Sequence, residues 1–587
     1  MFLECVKSGN TIYLYKSFYL TVAKGKYKRT RELIGTLDEL SKLYDDPISH
    51  FREVLKEETL LEKQQKKDKI LNLSINSSHF NSNDIINGTV IDNKFNKNFG
   101  SVILQFLYHQ LDFEKLVKRI KYKENTKINI SKLIQLLILC RCIYTNSKLS
   151  DFKNQNKFAD TFNLSKDDIY RGLEILNKYK DDIISHLNNN IGKFVNYNFK
   201  NTHYDLTNYF VYTDNTTLLI QKGYSKIKNG KPIIQQALLV DANGLPINYK
   251  LFSGNRNDVS TLVEFLDDQK KKFNIKNTTI IADAGLVSNE NIVKILLSKN
   301  QYIFKQSLLR VNKDILSTFN EIVKPKLEEV MKINEHLKGC FFSVVLDITV
   351  KVKDIKGNLV NVTIPQKYIF TYSKKYEDRQ EQIRLDQLED AQNYIKSYTN
   401  LKNTFKKHLP SLVKASINDV DLQIDEEKID KYENTAGYSL IITSKIDSSD
   451  KEIIEEYKNQ YLIEESFRIS KTDLNLDNIY LRKDNRIQGH FLIGFLSLAF
   501  LRILQISLAH EYSISKIQEE LKEFTLEKIR QSNNYQISRY SILIAKIQQL
   551  YNVEINKQIY SRTDLINTIG NVKKIRKDVY LDSLKSK

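Results

Sequence analysis

A chain of 587 residues with 41% hydrophobic and 10% aromatic content has room for about three or four domains and enough apolar mass for real cores, which excludes a disordered chain. Its 90 Lys and Arg outweigh 71 acidic residues, a formal charge of +19, so a polyanionic partner is expected, nucleic acid first and an anionic membrane second. Four scattered cysteines and nine histidines without metal-ligand spacing exclude a disulfide framework and a zinc site, and the simplest expectation is a reduced cytoplasmic protein.

Residues 1–71 read as a β-then-α module. TIYLYKSFYL and the basic KGKYKRTR give strand signals, and a helix is expected from about Asp45 to Lys69. Met1 to Glu4 lead straight into a polar segment, so no signal peptide is expected. The Asn-, Ser- and Asp-rich stretch 72–98 reads as a linker. Residues 99–196 carry helical periods in VILQFLYHQL, FEKLVKRIKYK, SKLIQLLILCRCIY and DIYRGLEILNKY, with Ser131 and Ser165 as N-caps. This is expected to be an all-helical domain, either a plain scaffold or a site of DNA binding or dimerisation. Cys140 and Cys142 sit in its apolar run as buried thiols.

Near Tyr197 the hydrophobic period changes from 3.6 to 2. THYDLTNYFVY, IIQQALLVD and LPINYKLFS read as successive antiparallel strands, the last two joined through Ala242, Asn243 and Gly244. A helix (DVSTLVEFLDDQKKKF), a strand (TTIIADAGL), a helix capped by Ser288 and a strand (QYIFKQSL) follow. The order β-β-β-α-β-α-β is that of a ribonuclease H-like α/β core, placed at 197–309. An α+β insertion domain is expected over 310–435, and the core resumes over 436–510 with the buried strand GYSLIITS. Phe491 to Leu508 is apolar but broken by Arg502 and Gln505, so it reads as a buried helix and not as a span of about 20 apolar residues. Residues 511–587 read as a helical, basic tail.

Three carboxylates stand out: Asp205 in mid-strand, Asp283 at a strand end, and Glu464 within YKNQYLIEESFRISK. In that stretch Tyr457, Gln460, Glu464, Arg468 and Lys471 recur at offsets of 3, 4, 4 and 3, expected to line one face of a single helix. The plainer reading is a solvated face with Glu/Lys pairing. An aspartate in a buried sheet carries a desolvation cost unless it is paired or binds a cation, and two on one sheet suggest a metal site. Two metals about 4 Å apart can activate an attacking oxygen and stabilise the leaving one, and Mg²⁺ suits a few carboxylates completed by substrate oxygens and water. Asp214 and Asp241 read as turn residues, and Glu465 lies about 100° round the helix from Glu464. His203 shares a strand face with Asp205 and reads as a core histidine ahead of a ligand, while His490 reads as structural or DNA-contacting.

The Tyr457–Lys471 stretch resembles the Y-(2)-R-(3)-E-(6)-K signature of the insertion-sequence family four group of DDE transposases. Tyr457, Glu464 and Lys471 fall at matching offsets, with Gln460 where the signature usually has Arg. YDLTNYF and IADAGLVSNENI are similar to the family's first- and second-aspartate regions, and the resemblance covers about residues 197–510. The aspartates lie 78 residues apart and Glu464 a further 181 on, which leaves room for the insertion domain these transposases carry. The resemblance implies a cut-and-paste insertion-sequence transposase. Asp205, Asp283 and Glu464 would hold two Mg²⁺ ions, with Mn²⁺ able to substitute. The enzyme would cut at terminal inverted repeats, pass through a DNA hairpin, and join the free 3′-hydroxyl to target DNA. Double-stranded DNA is the implied partner, bound by a homodimer at the bacterial nucleoid. Tyr457 and Lys471 would contact terminal phosphates, Lys471 as a point charge. Gln460 can hydrogen-bond a phosphate but not neutralise it, and Arg468 is a further phosphate candidate from helical geometry. With no Trp in the chain, stacking of a flipped base would fall to Tyr or Phe, Tyr461 being nearest. The alternatives are an inactive or domesticated DNA-binding protein of the same fold, and a ribonuclease H-like metal-dependent nuclease.

Overall fold

A computed structural model describes residues 2–9, 11–23, 26–71, 96–223, 230–273, 278–333, 339–353, 357–400, 410–415, 422–477, 479–529 and 533–574. Most of the expected linker and the end of the basic tail lie outside the described residues. The chain divides into two units: Met1–Lys97 with Glu523–Thr568, and Asn98–Lys522 with Ile569–Lys587.

In the first unit, Phe2–Ser8, Thr11–Ala23 and Lys26–Thr36 form a three-stranded antiparallel sheet. A short helix begins with the reciprocal Thr36–Glu39 capping box, and the long helix Pro47–Leu71 comes next. Near the other end of the chain, Thr525–Lys528, Asn534–Ile537 and Ile559–Ser561 pair antiparallel, where the sequence points to a helical tail. These strands span 3–4 residues each, too short for a period of 2 to show against the helical periods around them.

The second unit opens with helices, among them α1 (Ile130–Ile143) and α2 (Lys166–Lys178). Ser165 caps α2 in a capping box with Asp168. Ser131 does not cap α1: Asn129 does, its side chain accepting from the Lys132 amide, while the Ser131 hydroxyl donates to Glu114.

Eight strands then build one sheet: β1 (Asn201–Phe210), β2 (Ile233–Asp241), β3 (Pro246–Ser253), β4 (Thr279–Ala282), β5 (Gln301–Gln306), β6 (Gly339–Lys353), β7 (Leu359–Ser373) and β8 (Tyr438–Thr443). Their order is β6-β7-β8-β5-β4-β1-β2-β3. β1, β2 and β3 are antiparallel neighbours, whereas β4 runs parallel to both β1 and β5. Parallel neighbours need a crossover, and α3 (Asp258–Phe273) and α4 (Asn289–Leu297) lie in the connections on either side of β4. The 310–435 segment adds the long hairpin β6–β7 to this same sheet, through antiparallel pairing of β7 with β8.

Strand alternation sorts the two faces. Tyr204, Ile280, Ala282, Tyr302, Phe304, Tyr368, Phe370, Leu440 and Ile442 face the main core with Leu262 and Phe265 of α3 and Ile292 and Ile295 of α4. The residues between them, Ile281, Ile303, Ile369 and Ile441, face Ile453 of α5 (Asp450–Lys458) on the other side. Each such isoleucine contributes about 1.5–3 kcal/mol by burial. The same alternation puts His203 and Asp205 on the α5 side, because Tyr204 and Leu206 belong to the main core.

After α6 (Tyr461–Arg468) comes α7 (Asp484–Ser507). By length and composition α7 is apolar enough to cross a membrane, yet its most apolar window is 94% buried inside the protein. It packs on α1 and α2. A Cβ at Gly489 would stand 2.3 Å from the Leu173 carbonyl oxygen, so only glycine permits so close a crossing with α2. Arg502 of α7, 1% exposed, reaches the α6 side chains Glu465 at 2.8 Å and Ser466 at 3.1 Å.

Candidate active site

The stretch from Tyr457 to Lys471 is not one regular helix. α5 ends at Lys458, and a tight turn comes next in which the Gln460 amide donates to Tyr457 and the Ile463 amide to Gln460, each three residues back. α6 then passes into a π-helical turn, Ile469–Asp473. Hydroxyls of Ser466, Ser470 and Thr472 donate to carbonyls four residues earlier, at 2.8, 2.8 and 2.7 Å, and such competition loosens the helical ladder. The uniform period expected over this stretch is therefore broken twice, and its five polar residues go separate ways.

Tyr457 donates its hydroxyl to Asp283 Oδ1 at 2.7 Å. Its helix is anchored next door, where buried Glu456 pairs with Lys445 at 2.6 Å. Gln460 does not reach the surface: it is 4% exposed, and its Oε1 lies 3.1 Å from His203 Nδ1. His203 is fully buried, and its Nε2 has no partner among the described residues. Glu464 is exposed in the first turn of α6. Arg468 is also exposed and bonds Asp473 at 3.3 Å. Lys471, in the π turn, holds its Nζ 5.1 Å from the ring centroid of Tyr209, four residues along β1 from Asp205.

Electrostatics join Asp205, Asp283 and Glu464. Burial pushes the Asp205 carboxyl from an ordinary 3.8 up to about 7, and the charges of Asp283, Glu464 and Asp258 push the same way against the Leu206 amide. Burial and the Asp283 carboxylate also raise Tyr457, with Glu464 and Asp205 adding, so the phenol keeps its proton and stays a donor. Lys471 is lowered by burial, opposed by Asp477 and Asp205. Among the described residues, none of Asp205, Asp283 and Glu464 forms a salt bridge, and no three His, Cys, Asp or Glu side chains close around a point that would hold an ion by themselves. Carboxylates that share a field with no salt-bridge partner suit a hard divalent cation that keeps water and takes substrate oxygens into its shell.

Residues 209–500 match the family model of the transposase DDE domain. The matched stretch takes in Asp283, Glu464 and Lys471, and it begins just beyond Asp205 on the same strand. It supports a transposase role for the chain. No curated protein sequence matches the chain. Among solved structures it is similar to a piggyBac transposase in a synaptic complex with hairpin DNA, at 9% identity over 82% of this chain and 86% of that one. The TM-score is 0.34, too low to establish a common fold.

Within the DDE-matched stretch, the residues competing for a role divide clearly. Glu465 turns away to Arg502. Asp241 accepts the amides of Asn198, Asn243 and Leu245, which is turn chemistry, although burial pushes it up to about 6. Asp214 is exposed, and Tyr461 is 57% exposed. Two further carboxylates are not marked out by sequence. Asp258 opens α3, accepts from Gln235 Nε2 at 2.9 Å and adds to the field on Asp205, but in sequence it reads as an ordinary acidic helix start. Asp477 stands between Lys471 and Tyr209 in electrostatic influence and belongs to no motif.

Proposed function

We propose that the chain is a transposase of the insertion-sequence family four group that cuts DNA at the ends of a mobile element and joins the freed 3′-hydroxyl to target DNA. The observation that carries this reading is the Asp205 carboxyl, held near 7 by burial and by two further carboxylates from separate elements, beside a transposase DDE-domain match. The strand order β3-β2-β1-β4-β5 supports a ribonuclease H-like core, with β6, β7 and their helices inserted before β8. Asp205, Asp283 and Glu464 would hold the divalent cation, Mg²⁺ with Mn²⁺ as a substitute. When bound, the metal supplies Lewis-acid polarisation of the attacking and leaving oxygens.

The chain's own groups do the rest. The Tyr457 hydroxyl fixes one oxygen of Asp283 and leaves the other free. Lys471 offers a positive charge on the Asp205 side, where a phosphate would sit, and Arg468 offers one at the surface. Gln460 acts through His203 to hold the turn between α5 and α6, so its part in DNA contact is indirect. The +19 charge suits double-stranded DNA, and a homodimer with a hairpin step is the form of cut-and-paste chemistry proposed.

The test is a cleavage and joining assay on DNA carrying the element's terminal repeats, in Mg²⁺ and in EDTA, with wild type and Asp205→Ala. Mg²⁺-dependent cutting and joining that Asp205→Ala abolishes is the expected result. Cutting without joining would replace the transposase with a nuclease, and tight binding without cutting would replace it with a DNA-binding protein.

A further inference from the structure

The second unit holds a cavity of about 550 Å³ that none of these carboxylates lines; its walls include Arg141 of α1, Lys148, Tyr170 of α2, Tyr480, and His490 of α7, with the exposed Asn146 also lining it. Three basic side chains reach it while almost wholly buried: Arg141 at 2%, Lys148 at 4% and His490 at 5% exposure. Arg141 donates Nη1 to the carbonyls of Leu474 and Asn475 at 2.9 and 3.2 Å, and its Nε has no partner among the described residues. Lys148 pairs with Asp151 at 2.7 Å, and Asp151 is also the carboxylate that acts most strongly on Arg141. Two cations thus share one carboxylate, leaving a positive charge uncompensated where burial makes that costly. Among the described residues neither ring nitrogen of His490 makes a well-formed hydrogen bond, although the Leu476 carbonyl stands near enough to favour its protonation. Burial and the two neighbouring cations hold the imidazole well below its ordinary range, so the ring is neutral, with a donor nitrogen to spare.

We propose that this cavity binds a phosphomonoester, with the phosphate group taken by Arg141, Lys148 and His490. The guanidinium fork and the ammonium match the geometry and charge of a phosphate, and an entering anion would supply the missing negative charge. The volume lies within the roughly 300–1,000 Å³ of organic-ligand pockets, so the phosphate carries an organic substituent, for which the Tyr170 and Tyr480 walls leave room. The same group could come from a small free phosphomonoester or from the 5′-phosphate of a DNA end. This inference does not rest on the transposase reading.

Calorimetry and thermal melting of the full chain test it, at fixed pH and ionic strength, first with inorganic phosphate and then with DNA duplexes bearing a 5′-phosphate or a 5′-hydroxyl. Wild type is expected to bind phosphate at one site per chain and to melt at a higher temperature in its presence. Arg141→Gln should weaken that binding at least about tenfold, the effect of one lost hydrogen bond to a charged group. Because Arg141 also holds two carbonyls, Asn146→Glu provides a second variant: the position is exposed, so the fold should survive, and the added negative charge should weaken phosphate severalfold. Preference for the 5′-phosphorylated duplex, lost in both variants, assigns the DNA end as source. Phosphate binding with no preference between duplexes assigns the small phosphomonoester. No single-site phosphate binding, or equal binding by wild type and both folded variants, overturns the proposal.

Discussion

The carboxylate site and the Arg141 cavity both bury ionisable groups, but their charge is unbalanced in opposite directions. At the first, burial lifts Asp205 to about 7, with the charges of Asp283, Glu464 and Asp258 adding. At the second, burial together with two cations around one carboxylate holds His490 neutral, far below its usual range. A buried pair of opposite charges is balanced without a further ligand, as Lys445 with Glu456 illustrates in the same unit. An unpaired surplus marks a place that an ion of opposite sign would complete, a cation in one case and an anion in the other. The sign of the surplus, more than the identity of any one residue, separates the two.

The largest effect expected from this contrast is at Glu464. Glu464→Gln removes one negative charge and a ligand while conserving shape, so cleavage should fall by more than the roughly 100-fold that even a supporting residue costs, with DNA-end binding nearly intact. Cleavage rates beside a gel-shift measurement check it, and wild-type cleavage would take Glu464 out of the site.

The surplus also fixes a pH dependence. Asp205 binds its proton more tightly folded than unfolded, so between about 3.8 and 7 the folded state holds more protons and stability falls as pH rises. Below that window both states carry the proton and the contribution is constant, and above it the loss is complete. Asp205→Asn should flatten this slope in denaturant titrations run with chelator, and an unchanged slope would show that Asp205 carries no such surplus. The divalent cation should bind more tightly as pH rises through 7, because it displaces that proton.

Lys471→Met tests which way the site faces. If Lys471 meets a phosphate, the slope of DNA affinity against salt should drop by about 1, and an unchanged slope would assign the lysine to Tyr209 and Asp477 alone. Smallest of all is Arg468→Ala, whose exposed pair with Asp473 should matter to stability by no more than about 1 kcal/mol in thermal melts.

Much of the sheet is legible in the sequence because strand alternation is a local signal. Tyr204 and Leu206 flanking Asp205, or Ala282 before Asp283, show which face each aspartate takes. Ser165 before α2 is equally plain, whereas Asn129 and Ser131 offer two oxygens for one cap and sequence has no means to choose. The course of Tyr457–Lys471 is hidden for a different reason. Offsets of 3 and 4 fit a regular helix as well as one that tightens at Gln460 and widens at Ile469, so only the hydrogen bonds reveal that Gln460 is interior. The pairing of β7 with β8 joins residues about 70 positions apart, and the cavity assembles Arg141 with His490 across more than half the chain. In sequence, Cys140-Arg141-Cys142 reads simply as part of an apolar helix.

The π turn at Ile469–Asp473 makes the site depend on chain length as well as on residue identity. Such a turn holds one residue more than an α-helical ladder accommodates. Deleting a residue ahead of Lys471, Ser470 for instance, would let the turn tighten to an α-helical one and move Lys471 round the axis, while the residues beyond the turn kept their phase. Lys471 would leave Tyr209 while every side chain named in the chemistry stayed present. Substitution scanning conserves the residue count and would pass over this dependence; only a change of count exposes it.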